Sequence, residues 1–315
     1  MRCMAANAVM QKTERENRWR KIRKNKLLYL MFLPVILYYL IFCYAPMFGI
    51  VIAFKDYNAF LGFFNSPWVG FEHFINFFKS TYFFRLIGNT FLISFYGLIF
   101  GFPLPIILAL MLNEVKDGKF KKITQTISYL PHFISTVVIV GMFVNFLSPS
   151  TGLINNIIAM LGGERVYFLN DPKYFRSLYT LMNIWQGVGW GSIIYLAALS
   201  GIDVELYEAC IIDGGGRIRQ TLHITLPGIM GTIIIMLIFR IGSILSVGSE
   251  SIILMYSPSI YETADVISTY VYRRGLVEAE YSFASAVGLF NSVIAFVFII
   301  GTNALARRYT ETSLW

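Results

Sequence analysis

From Leu27 to Phe54 the chain runs without a charge, bounded by Lys26 and Lys55. Crossing the hydrocarbon of a bilayer takes about 20 mostly apolar residues. The pattern recurs from Leu86 to Asn113, between Arg85 and Glu114, and from Tyr281 to Ala306, between Glu280 and Arg307. Thr124–Leu147, Ser177–Ile202 and Gly228–Ser249 are three further spans, the last interrupted by Arg240. Charged residues are 14% of the chain, against about a quarter in a soluble domain. The expected fold is an all-α membrane protein with six transmembrane helices. Pro34, Pro46, Pro103 and Pro105 fall inside these spans, where membrane helices tolerate them.

Lysine and arginine placement sets the orientation. With six spans, one set of connections comprises the N-terminal tail, 114–123, 201–226 and the C-terminal tail, with nine, four, two and two basic residues. The other set, 55–85, 148–177 and 249–282, carries three, three and two. The richer set faces the cytoplasm, so both termini are expected inside. The tail RWRKIRKNK abuts a span, which favours an anchor on anionic lipid over nucleic-acid binding. The first apolar run is too long for a signal peptide and lacks a small-residue cleavage site. Cys3, Cys43 and Cys210, and likewise His73, His132 and His223, lack disulfide or metal spacing.

The connection between spans four and five reads ELYEACIIDGGGRIRQTLHITLPGIM from Glu205. Asp203 is placed to cap a short helix, with Glu205 in its first turn. Leu206, Ala209, Cys210 and Asp213 share a face. Gly214, Gly215 and Gly216 break the helix, a second one starts near Arg217, and Pro227 opens the fifth span. The alternative is an ordinary amphipathic loop resting on lipid.

Glu208-Ala209-Cys210, Asp213-Gly214-Gly215 and Ile224-Thr225-Leu226-Pro227 resemble, at the same spacing, the "EAA" loop of permease subunits of binding-protein-dependent bacterial ABC importers. Two small-for-small departures occur: Cys210 stands for the second alanine of the pattern and Gly215 for its third. Ala53-Phe54-Lys55-Asp56-Tyr57, Met255-Tyr256-Ser257-Pro258 and the run Ala264 to Arg273 resemble the sugar and oligosaccharide subgroup. The resemblance implies a type I permease bundle with its core over 85–306 and the coupling loop at 203–227. Residues 1–26 would form a basic tail, 27–84 the first span with an extracytoplasmic segment, and 307–315 a C-terminal tail.

The resemblance also implies partners: a second homologous permease, two ATPase subunits and an extracytoplasmic solute-binding protein. The loop would seat in a groove of the ATPase. Glu208 and Asp213 would pair with its basic groups, and Ala209, Cys210, Gly215, Ile224, Leu226 and Pro227 would shape the contact. No G-x-x-x-x-G-K-[ST] phosphate loop occurs in the chain, so ATP and its Mg²⁺ would be bound by the partner ATPases. The chain is expected to be non-catalytic and to reside, multi-pass, in the bacterial cytoplasmic membrane.

Polar groups inside spans are costly unless partnered or functional. Arg240, Ser243, Val247 and Glu250 fall at i, i+3, i+7 and i+10, one helical face that should look into the bundle. Arg240 there is either part of a pathway lining, or an internal ion pair or snorkelling arginine. In the fourth span Asn183, Gln186 and Trp190 share a face, and amides with an aromatic ring suit a sugar. Trp185 fits an interface belt or helix packing better. Asn89 and Asn291 are weaker candidates, and Asn89 fits a cap of the second span. The stretch FFNSPWVGFEHFINFF should lie in the membrane interface or against a docked protein. Rival functions are an importer of another solute, such as a peptide or phosphate compound, an ion-coupled carrier, or an intramembrane enzyme. Glu250 is the lone acid near a span end, and no H-E-x-x-H or paired intramembrane aspartates occur.

Overall fold

The computed structural model describes residues 24–245 and 247–309, which are predominantly helical. Most of the basic tail and the end of the C-terminal tail, with the lipid-anchor expectation, lie outside the described residues. Helix α1 (Lys26–Phe54) and helix α2 (Phe83–Glu114) match the first two expected spans. Helix α3 (Lys119–Tyr129) and helix α4 (Thr136–Leu147) together occupy the third. Helix α5 (Pro172–Leu199) is the fourth, and Asp171 caps it by accepting from the Lys173 N–H at 3.0 Å. Pro172 sits at its first turn, where a missing N–H is harmless. Helices α6 (Val204–Ile212) and α7 (Arg217–Gly228) form the connecting loop. Helix α8 (Met230–Gly242) is followed by α9 (Ser249–Met255), α10 (Ile267–Tyr272) and α11 (Tyr281–Tyr309), the sixth expected span.

Two spans differ from expectation. α3 and α4 meet at a 100° bend across Leu130–Phe133, where Pro131 falls and Ser135 is extended. Hydropathy sums over the bend and does not see it. The 12 residues of α4 rise about 18 Å, short of the ~30 Å hydrocarbon core. The fifth span likewise ends as a helix at Gly242 and restarts at Ser249. Three carbonyls in the gap accept from side chains of other elements. Ser94 donates to Ile244 O, the Asn291 amide to Leu245 O at 3.5 Å, and Ser268 to Val247 O at 2.9 Å. A broken backbone is tolerated at membrane depth only when such partners exist.

Three buried clusters hold the bundle. Ala109 of α2, Tyr195 and Leu199 of α5, and Ile229 pack at the end carrying the 203–227 loop. Ile139, Val140, Met182, Ile252 and Val266 join α4, α5 and α9. At the opposite end Phe77, Leu86, Tyr270 and Val287 pack with Phe83, Phe283 and Phe290. Phe77 comes from the stretch expected in the interface, and that stretch is split: Phe77 is buried while Phe64, Trp68 and Phe71 stay exposed. α1 is anchored only near its end. Ala53 is buried and Phe54 meets Phe71 and Phe74, whereas every residue from Lys24 to Phe42 is exposed.

A charged hub locks the end opposite the loop. Asp265 is fully buried, and Arg273 chelates its carboxylate at 3.2 and 2.8 Å while Arg85 stands at 3.5 Å. Burial opposes the charge on Arg273, but hydrogen bonding and attraction from Asp265 outweigh it and raise its pKa. Asn89 lies inside α2 and is no cap. Its amide donates to the Glu262 and Asp265 carbonyls at 2.9 Å each and accepts from Arg176 at 2.8 Å.

Candidate functional site: a loop and an open cavity

The loop is rigid for local reasons. The Asp203 carboxylate accepts from the Glu205 N–H at 3.0 Å and starts α6. α6 ends in a left-handed turn: Gly214 has φ +77°, its N–H reaches Ile211 O at 2.9 Å, and the Gly215 N–H reaches Cys210 O at 2.7 Å. That pair of bonds satisfies carbonyls orphaned by the helix end, and glycine takes the left-handed position at least cost. The Gln220 amide closes the turn on Gly215 O at 3.1 Å, and Tyr207 bridges to Thr225 at 3.1 Å. Arg217 pairs with Glu114 of α2 at 3.1 Å. Ile202 and Ile229, flanking the loop, both pack in the cluster of Ala109 and Leu199.

Glu208, Ala209 and Asp213 are exposed on this frame, as are Ile211, Ile212 and Ile218. Cys210 points inward, against buried Gly215, and so leaves the face shared by Leu206, Ala209 and Asp213. Ile224 and Leu226 are half-buried and Pro227 is exposed. The loop thus presents an apolar and acidic surface over a pinned base.

The second feature is a cavity of about 520 Å³ between α2, α5 and α8, open on one side. Asn183, Arg240 and Ser243 line it, together with Ser94, Gly97, Gly101, Tyr179 and Thr180. The Asn183 amide donates to Tyr179 O at 2.7 Å. The Arg240 guanidinium lies along α2, with Nη2 2.7 Å from where a Cβ on Gly97 would be. No carboxylate among the described residues pairs with it.

Three expected lining residues fall elsewhere. Gln186 turns to the α3–α4 bend, donating to Ile134 O at 3.5 Å, and Trp190 stacks on His132 with ring centroids 4.6 Å apart. The cavity strip of α5 is Thr180, Asn183, Gly187 and Gly191, rotated away from both. Glu250 is exposed beyond the break, because the ten-residue spacing from Arg240 is not helical. Trp185 packs beside Phe143, as expected of a structural ring. Tyr179, Gly97 and Gly101 join the lining without having stood out in the sequence. Small residues four apart in a span, facing a lone arginine, were the available signal.

The described residues form a bundle of membrane-length helices with an open cavity between α2, α5 and α8 and a pinned loop at one end. The profile of the family "Binding-protein-dependent transport system inner membrane component" matches residues 101–311, and the chain belongs to this family. It is an inner-membrane permease component. It is similar to Protein LplB of Bacillus subtilis (strain 168), 46% identical over 93% of this chain and 92% of that one. The polygalacturonan/rhamnogalacturonan transport system permease protein YteP of the same organism is 44% identical over 99% of this chain and 97% of that one. Among solved structures, a bacterial alginate ABC transporter in complex with alginate pentasaccharide-bound periplasmic protein matches with a TM-score of 0.87. It is 49% identical and covers 94% of this chain and 99% of that one.

Proposed function

We propose that this permease translocates an oligo- or polysaccharide across the cytoplasmic membrane by alternating access, driven by separate ATPase subunits that seat on the 203–227 loop. The observation that carries the cargo assignment is the open cavity, whose Asn183 amide, Tyr179 ring, Thr180, Ser94 and Ser243 hydroxyls and Arg240 guanidinium suit a polyhydroxylated chain. The saccharides in the names of its relatives support the same reading. The exposed Glu208, Asp213 and isoleucines supply the ATPase contact. The chain itself is non-catalytic; ATP and Mg²⁺ bind in the partner ATPases. The cavity's open side faces a second, homologous permease, and a solute-binding protein delivers cargo at the end opposite the loop. The loop end and both termini are cytoplasmic.

The test is purification of the tagged chain from its own membranes in mild detergent, followed by reconstitution. An ATPase and a second permease should co-purify, and Gly214→Asp should lose the ATPase while remaining inserted. Uptake of a saccharide should require ATP and the binding protein. Wild-type ATPase recovery with Gly214→Asp would overturn the coupling assignment; ATP-driven uptake of a peptide instead of any saccharide would overturn the cargo.

A further inference from the structure

Arg240 lies on α8, ten residues beyond Met230, or about 15 Å along the helix. A guanidinium at that depth needs a partner, because its charge is poorly solvated there. None of the chain's described carboxylates pairs with it. Asp265, the fully buried acid, is already chelated by Arg273. What Arg240 has instead is a seat. Gly97 and Gly101 present bare backbone to it, with Nη2 2.7 Å and 4.0 Å from the Cβ positions they lack. Both belong to a π turn of α2, Gly97–Gly101, that widens the helix just before Pro103. The seat holds the exposed guanidinium against one wall of the open cavity.

Resting on the saccharide assignment above, we infer that Arg240 is the charge selector of the pathway and Gly97 its positioning residue, so that the cargo carries carboxylates and is a uronate-type saccharide. A planar, permanently charged fork meets a carboxylate with two parallel hydrogen bonds, which a neutral ester cannot accept equally well. Any side chain at position 97 displaces the guanidinium. Gly97 therefore acts through Arg240, and its effect vanishes when the guanidinium is absent.

The experiment uses the full reconstituted complex with its binding protein, supplied with a pool of partly methyl-esterified oligogalacturonides. Mass spectrometry compares the imported oligomers with those loaded on the binding protein, which is the same for every variant. Wild type should enrich molecules with more free carboxylates, and Arg240→Gln should lose roughly ten- to a hundredfold of that discrimination. Gly97→Ala should lose part of it, and Gly97→Ala in the Arg240→Gln background should lose nothing further. If Arg240→Gln stops all uptake, Gly97→Ala alone carries the comparison. An imported distribution unchanged by either substitution overturns the inference while leaving saccharide transport intact. So does an equal loss for every oligomer accompanied by loss of the second permease, which assigns the guanidinium to a carboxylate of that subunit. No uptake of any oligosaccharide by wild type overturns the cargo assignment and this inference with it.

Discussion

Cys210 and Gly215, the two residues at which the loop departs from its family pattern, touch each other. A Cβ on Gly215 would collide with the Cys210 thiol and stand 2.8 Å from its carbonyl. The larger side chain at 210 is therefore matched by the missing one at 215. Gly215→Ala should destabilise the loop by about 1–3 kcal/mol, the usual range for overpacking. Adding Cys210→Ala removes the thiol clash but not the close approach to the carbonyl, so it should recover part of the loss. The thermal midpoints of the four combinations test the coupling, and simple additivity would refute it. At the other end of the bundle, Asp265→Asn leaves Arg273 and Arg85 with no countercharge and should cost about 3 kcal/mol, read as faster proteolysis of the 261–283 segment. The loop's turn was legible in the sequence because all its bonds are local: three glycines after a capped helix dictate it. Gln186 and Trp190 fall off the cavity strip because a helical face is defined only to within a rotation that packing decides, and Glu250 because the helix stops at Gly242 and restarts at Ser249.

Three π turns end two residues before a proline: Tyr39–Tyr44 before Pro46, Gly97–Gly101 before Pro103, and Thr221–Thr225 before Pro227. Proline cannot donate to the carbonyl four residues back and crowds it, so the preceding turn widens. The widening is placed at the guanidinium seat and at the loop exit. Pro103 does not line the cavity, so Pro103→Ala should restore an ordinary turn in α2 and disturb Arg240 only through its glycine seat. The expected outcome is a normally inserted complex with reduced uptake, and unchanged uptake would separate the proline from the seat. In the broken fifth span, Ser268→Ala strands the Val247 carbonyl and should cost about 1–3 kcal/mol, measurable as a lower unfolding midpoint. Hydropathy found all six apolar stretches. It did not find the breaks at 130–135 and 243–248, since an average over about 19 residues carries no direction.

On the scale of the molecule, one chain walls the cavity on three elements and leaves a side open. Sequence indicated this only through the family resemblance, because nothing local marks a missing wall. The second permease proposed above would bind only the folded state, so adding it should raise the unfolding temperature of this chain with the logarithm of its concentration. An unchanged midpoint across a range of partner concentrations would argue for a self-sufficient carrier.

Helix α1 is the feature with the least company in its own chain. Its far end is fastened by Ala53 and Phe54, and everything from Lys24 to Phe42 faces outward. It is a lever with one pivot, whose free end takes its position from its surroundings. Spin labels at Leu28 and Leu305 should give a broad distance distribution in the isolated chain, narrowing when neighbouring subunits are added. The tilt of that helix then serves as a spectroscopic gauge of assembly, readable in a bilayer without any transport assay.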